Sequence, residues 1–199
     1  YEEGSLLINP IRKLYLRGKH RNINKFVHSI YNKKKEIADF GCGMCCWNVN
    51  KLPVYGIDIN ENILYLAKQE GYLADYKVAD ITNSGMPDNH YDIIIASEVL
   101  EHIRDYHSVI REIYKILRPE GKVIITVPYE SFFSLWWIAF WFRVLIQGYL
   151  FRDQYFLKSM SHINHFNKRN ITELFKKNNF HIEELRLYFG TIIFLVATK

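Results

Sequence analysis

Cysteine is scarce in this 199-residue chain: Cys42, Cys45 and Cys46 sit together and cannot tie distant segments to one another. A disulfide framework is therefore excluded, and a reducing compartment is expected. A secretory leader is missing ahead of the first structured stretch, which points to a cytoplasmic address. Internal repeats and low-complexity linkers are absent too. Asp and Glu vanish altogether between Ile11 and Lys35, where nine Lys or Arg fall. The net charge of +5 is moderate, but this one-sided stretch points to an anionic neighbour. Disordered and fibrous classes are ruled out by what is present: 49% hydrophobic and 24% charged residues, enough for one domain with a real core.

From Glu36 onward, short apolar runs alternate with helical patterns, the signature of a parallel sheet built from βαβ units. The class is α/β, a Rossmann-like, doubly wound and mostly parallel sheet. Residues 36–40 form a first strand and 52–57 a second that closes at Asp58, with a helix-sized segment between them. Asn60 is placed to cap a helix running through Gln69, with Gly71 as its stop. Residues 76–79 make a short third strand. Tyr91 to Ala96 is almost wholly apolar, as a central strand covered on both faces should be. Asp105 can cap a helix whose apolar positions Val109, Ile110, Ile113, Ile116 and Leu117 recur at three and four spacing, ended by Pro119 and Gly121. Residues 122–127 are the fifth strand and 170–177 the last helix. Residues 180–187 and 192–198 lie too close in sequence for a crossover helix, so they must pair as an antiparallel hairpin. Residues 1–35 form a basic helical segment outside the sheet, and 36–199 the catalytic domain, with an aromatic insertion at 129–166.

Gly41-Cys42-Gly43 ends the first strand, where a sharp turn lets backbone approach a ligand that a Cβ would hold off. Asp58 then closes the neighbouring strand. A carboxylate there can accept hydrogen bonds from both hydroxyls of an adenosine ribose, so the pair of features implies a nucleoside cofactor. A dinucleotide fingerprint wants a third glycine where this chain has Cys46, and a terminal hairpin is foreign to a dehydrogenase sheet, so nicotinamide is disfavoured. Five blocks carry a resemblance: Asp39 to Gly43, Gly56 to Asp58, Asp80-Ile81, Tyr91 to His102, and Leu117 to Lys122. In this order they resemble the class I S-adenosylmethionine-dependent methyltransferases, particularly the small-molecule branch with ubiquinone-type and other "type 11" enzymes. The likeness spans about residues 36–199.

That resemblance implies a seven-stranded sheet and S-adenosylmethionine as cofactor, with S-adenosylhomocysteine as product. It implies cofactor contacts from Asp39, Gly41, Cys42 and Gly43 at the methionine end, Asp58 with Ile59 at the ribose, and Asp80 and Ile81 at the adenine. Ser97 and Glu98 would form the rim beside the transferred methyl. The family often has another glycine where this chain has Cys45.

Helical spacing would bring Glu98, Glu101 and His102 toward one side at the edge where an acceptor arrives. Methyl transfer from a sulfonium is an in-line displacement. The enzyme therefore mainly aligns the nucleophile and, for a hydroxyl, takes its proton, a task that suits His102 with Glu98. A second resemblance, to the small-RNA 3′-terminal 2′-O-methyltransferases, makes Glu98, Glu101, His102 and a later His162 or His165 candidate metal ligands. The same string is common in relatives without a metal, and no metal is assigned here. Cys42 and Cys45 also spell C-x-x-C, but with only Cys46 besides them a four-cysteine zinc site is impossible, and inert loop filling is expected.

From Phe132 to Phe142 only Ser134 is polar, and Trp136, Trp137 and Trp141 fall inside. Arg143, Gln147 and Gly148 interrupt the run before it reaches a spanning length. Three readings stay open: a lid over the acceptor site, a dimer face, or a segment dipping into the bilayer interface. The flanks Arg143, Arg152 and Lys158 favour a lid that also touches anionic head groups through residues 132–151. The expected reaction is methylation of a small or lipid-like acceptor at oxygen. No DNA partner is assigned, and RNA is disfavoured because no RNA-binding module is recognisable. A metal-dependent RNA 2′-O-methyltransferase and a cofactor-binding scaffold without turnover are the alternatives.

Overall fold

Strand β4, Tyr91–Ser97, alternates its contacts from Ile93 to Ala96. Ile94 and Ala96 enter one core cluster while Ile93 and Ile95 enter another on the opposite face. Both faces are covered, which is why the run reads as continuously apolar. The computed structural model describes residues 10–129, 163–188 and 190–199. Around β4 stand β1 (Ile37–Phe40), β2 (Val54–Asp58), β3 (Asp75–Val78), β5 (Leu117–Pro128), β6 (His181–Tyr188) and β7 (Ile192–Thr198), in the order β3-β2-β1-β4-β5-β7-β6. The first five strands pair in parallel, and β7 inserts antiparallel between β5 and β6. The seven-stranded sheet, its central strand and its terminal hairpin are those expected.

Helices α3 (Tyr106–Ile116) and α4 (Lys168–Lys177) cover one face through Val109, Ile110, Ile113, Ile171 and Phe175. Helix α3 begins where Asp105 accepts from the backbone N–H of Ser108 at 3.0 Å. At the start of α4, Asn167 and Asn170 form a reciprocal capping box. Helices α1 (Pro10–Ile30) and α2 (Glu61–Gln69) cover the other face through Ile23, Val27, Leu64 and Ala67. The basic N-terminal helix is thus packed on the sheet and shares its core, a closer association than its sequence suggested.

Two local expectations are corrected. Leu117 already pairs with Tyr91; the chain then loops out through Arg118 to Gly121, with Glu120 at φ +62°, and rejoins β4 at Lys122. The strand therefore starts at Leu117, and Pro119 sits where no ladder bond is required of it. Residues 41–53 contain no helix. Three successive turns carry the chain from β1 to β2, closed by Cys45 N–H to Cys42 C=O, Asn48 to Cys45 and Lys51 to Asn48, at 2.7, 3.0 and 3.1 Å. Cys45 and Lys51 have positive φ, which no continuous right-handed helix allows.

Asn48 holds this short crossover. Fully buried, it donates to the carbonyls of Leu52 and Tyr72 and accepts from Leu52 N–H, each at 2.8 Å. Asn48→Ala is expected to lower stability by about 3 kcal/mol, roughly 1 per bond. A urea midpoint that drops at unchanged m-value would show it, and an unshifted midpoint would contradict it.

Among the described residues, no helix is long and apolar enough to cross a membrane. The aromatic stretch 132–151 and His162 lie outside the described residues.

Candidate active site

The chain runs from β1 to β2 and β3 on one side, then returns to β4 on the other, so the strand order reverses between β1 and β4. At such a reversal, loops leave the carboxyl ends of neighbouring strands in opposite directions and open a crevice. Gly41 N–H donates to Ile57 C=O at 2.7 Å, tying the first loop over the end of β2. Gly41 has φ +63°, and a Cβ there would lie 2.4 Å from Val99 Cγ2, so only glycine fits. Gly43, at φ +48°, has nothing within 4 Å of where its Cβ would be and leaves the crevice open.

Asp58 joins the two loops. Its Oδ2 accepts from Gly43 N–H at 2.9 Å and its Oδ1 from Asn60 N–H at 3.0 Å. Each oxygen keeps a further lone pair, so the carboxylate can still accept from two hydroxyls. Ile59, beside it, is 74% exposed, an apolar surface suited to a flat ring. Asp80 accepts from Thr82 N–H at 2.8 Å and Thr82 Oγ1 at 2.7 Å, and these bonds hold its carboxyl below the usual range. Ile81 is buried in the core beneath, so its side chain is a floor and not a wall.

Asp39 lies deeper. One oxygen accepts from Trp47 Nε1 at 2.7 Å; the other, Oδ1, is buried with no hydrogen-bond partner. Burial pushes its carboxyl up to about 7, the nearby charge of Asp58 adds to the rise, and the Trp47 and Cys45 hydrogen bonds and the charge of Lys19 oppose it. Burial and the neighbouring Asp39 also push the Cys42 and Cys45 thiols well up, so neither is a nucleophile at neutral pH.

At the tops of β4 and β5, Ser97 Oγ and Thr126 Oγ1 share a 2.8 Å hydrogen bond, and Glu98 N–H donates to Thr126 C=O at 2.8 Å. Glu98 then turns with φ +55°, and its Oε1 is buried without a hydrogen-bond partner. That left-handed turn breaks the helical register assumed for Glu98, Glu101 and His102. A 3₁₀ turn follows only at Leu100–His102. Glu101 points inward and is 1% exposed, whereas His102 is exposed, its Nε2 3.8 Å from Glu101 Oε1. The three groups do not share a helical face. His165 stands near α4, and among the described residues no three of His, Cys, Asp and Glu gather as metal ligands.

Sequence reasoning missed Lys19, Trp47, Thr126 and Asn164. Asn164 Nδ2 donates to Leu100 C=O at 2.9 Å and Ile103 C=O at 2.7 Å, fixing the turn after β4. Only the unbroken apolar run of β5 gave a sign of Thr126, the one polar residue among the buried residues 123–127. The donor set fits a nucleoside with a charged tail: a carboxylate with two lone pairs spare, an open glycine loop, and two buried carboxylate oxygens that lack partners.

Comparisons with known proteins agree. Residues 12–185 match the family profile described as a methyltransferase domain. Demethylmenaquinone methyltransferase of Staphylococcus epidermidis is 27% identical, with 87% of this chain and 80% of that protein covered. The Geobacillus sp. (strain WCH70) protein of the same name is 29% identical, and phosphoethanolamine N-methyltransferase 3 of Arabidopsis thaliana 32%. They cover 62% and 46% of this chain. The chain spans only 59% and 21% of the length of those two relatives. Magnesium protoporphyrin IX methyltransferase from Synechocystis PCC 6803, solved with bound S-adenosylhomocysteine, shares the fold at a TM-score of 0.71 and 17% identity, over 98% of this chain and 90% of that one. The profile covers most of the chain, including every strand end that builds the crevice, and the chain belongs to the methyltransferase-domain family, the class I S-adenosylmethionine-dependent methyltransferases.

Proposed function

We propose that the protein transfers a methyl group from S-adenosylmethionine to a small or lipid-like acceptor, at oxygen. The observation that carries this reading is the crevice at the β1/β4 reversal, where Asp58 keeps acceptor capacity at one end and Glu98 keeps an unpartnered oxygen at the other. The cofactor supplies the methyl and, as a sulfonium, its own leaving group. What remains for the chain is to bind, orient and manage one proton. The Ser97–Thr126 pair stiffens the rim on which Glu98 stands. His102, exposed next to the buried Glu101, is the base this loop offers to a hydroxyl proton. The acceptors in the relatives' names, demethylmenaquinone and phosphoethanolamine, support the small or lipid-like class.

The test is incubation with methyl-labelled S-adenosylmethionine and separated lipid, small-molecule, RNA and protein fractions of a cell extract. Label is expected in the lipid or small-molecule fraction, released by conditions that cleave a methyl ether or ester. Label only in RNA, dependent on a divalent metal, would instead favour 2′-O-methylation. Binding of S-adenosylhomocysteine with no transfer to any fraction would leave a scaffold.

The reading includes a peripheral site of work on the cytoplasmic side of a membrane, through the aromatic segment 132–151. The exposed Arg17, Arg21 and Lys25 of α1 add positive charge to those of Arg143 and Arg152. Co-sedimentation with vesicles containing anionic lipid is expected and should weaken with salt. No binding to either anionic or neutral vesicles would end this part of the reading.

A further inference from the structure

Most basic residues of the described part of α1 face water, as Arg17, Arg21 and Lys25 do, but Lys19 turns inward and is 8% exposed. A lysine near a surface normally extends its ammonium into water, and one held inside needs partners to replace the lost hydration. Among the described residues, the ion-pair partner of Lys19 is Glu98, whose Oε2 is 4.0 Å away. That separation is beyond hydrogen-bond reach, so the pair recovers little of what desolvating both groups costs. Glu98 is similarly incomplete, with Oε1 buried and unpartnered, and so is Asp39 at Oδ1. The charge of Lys19 acts on Asp39 as well, which places all three groups in one electrostatic neighbourhood.

One buried cation and two carboxylates with idle oxygens, set around an open glycine loop, match a ligand that carries both signs of charge close together. A free amino-acid group does so. We infer that Lys19 binds the carboxylate of the cofactor's amino-acid tail, with the unpartnered oxygens of Glu98 and Asp39 as acceptors for its ammonium. The inference rests on the cofactor assignment and adds to it a residue from outside the strand-end loops. It also gives α1 a task besides packing. Residues 41–53 cross from β1 to β2 without a helix, and α1 covers that face, with Asn24 Nδ2 donating to Trp47 C=O at 3.1 Å. The helix that completes the core thereby brings a cation to the crevice.

The experiment compares two ligands by calorimetry on the full chain. S-adenosylhomocysteine carries the amino-acid tail, whereas 5′-methylthioadenosine keeps the adenosine and thioether but lacks it. Lys19→Met, which preserves the aliphatic stem, is expected to weaken S-adenosylhomocysteine at least tenfold and to leave 5′-methylthioadenosine within about twofold of the parent. Lys19→Arg is expected to recover most of the loss, because it restores the charge. Lys19→Gln gives a second reading should the methionine variant fold poorly. An equal loss for both ligands would mean that Lys19 only supports the fold, and no loss for either would mean that it does not meet the tail; both outcomes overturn the inference. Tight binding of 5′-methylthioadenosine to the parent shows that the adenosine site stands even when the inference about Lys19 fails. A parent protein that binds neither compound overturns the cofactor assignment itself.

Discussion

Replacing Asp58 with alanine is expected to weaken S-adenosylhomocysteine binding by at least 100-fold. The carboxylate already holds Gly43 N–H and Asn60 N–H at 2.9 and 3.0 Å, and its remaining lone pairs are the acceptors for the ribose hydroxyls. A hydrogen bond to a charged acceptor contributes about 1.5–3 kcal/mol, so two amount to about 3–6 kcal/mol as an upper guide, and 100-fold requires only about 2.7. The variant also removes one of the bonds that tie the glycine loop to β2, that of Gly43 N–H, which loosens preorganisation on top of direct contact. Asp58→Asn is expected to fare little better. Its amide nitrogen must face either a backbone N–H or a hydroxyl where an acceptor is needed. Calorimetry reads both losses, and a thermal melt separates them from unfolding. Unchanged affinity in a folded alanine variant would mean that the ribose lies elsewhere.

Elements whose signals are local were legible in the sequence. Asn60 and Asp105 cap the helices they were expected to cap, at 3.2 Å to Ile63 N–H and 3.0 Å to Ser108 N–H. The unbroken apolar run of β4 marked the sheet centre, and the short link between β6 and β7 required their antiparallel pairing. Asp58 and Gly43 were legible as a pair because strand ends one and two must be neighbours once the sheet is parallel. What failed depended on distant partners. The 41–53 crossover has the length of a helix, but its stability comes from Asn48 reaching Tyr72 C=O, a contact that no local pattern encodes. The register of Glu98, Glu101 and His102 failed because three residues at helical spacing are neighbours only if a helix has begun. Here β4 ends in a left-handed residue instead. Lys19 was invisible for a related reason. It belongs to a stretch whose charge pattern reads as a solvated face, and only the docking of α1 turns one member of that stretch inward.

Asp39 carries the second large effect, and it is one of pH. Its carboxyl ordinarily titrates at 3.8, and burial lifts it to about 7 in the folded protein. Well below pH 4 the group is protonated in both folded and unfolded chains and costs nothing. As pH rises from there toward 7, the unfolded chain releases the proton and the folded one retains it, so stability falls through this window and levels off above it. At 1.36 kcal/mol per pH unit, the loss is on the order of 4 kcal/mol. Asp39→Asn removes the ionisation and keeps an amide oxygen for the Trp47 Nε1 bond of 2.7 Å. The stability of the variant minus that of the parent is therefore expected to climb between about pH 4 and 7 and to level off above, as urea unfolding at fixed m-value would record. Parallel pH profiles would refute the buried ionisation. A ligand that brings a cation to the idle Oδ1 favours the ionised form, so at pH 6 the parent should release a proton on binding S-adenosylhomocysteine. The binding enthalpy would then depend on the ionisation heat of the buffer in the parent, and that dependence should be lost in Asp39→Asn and for the tail-less 5′-methylthioadenosine.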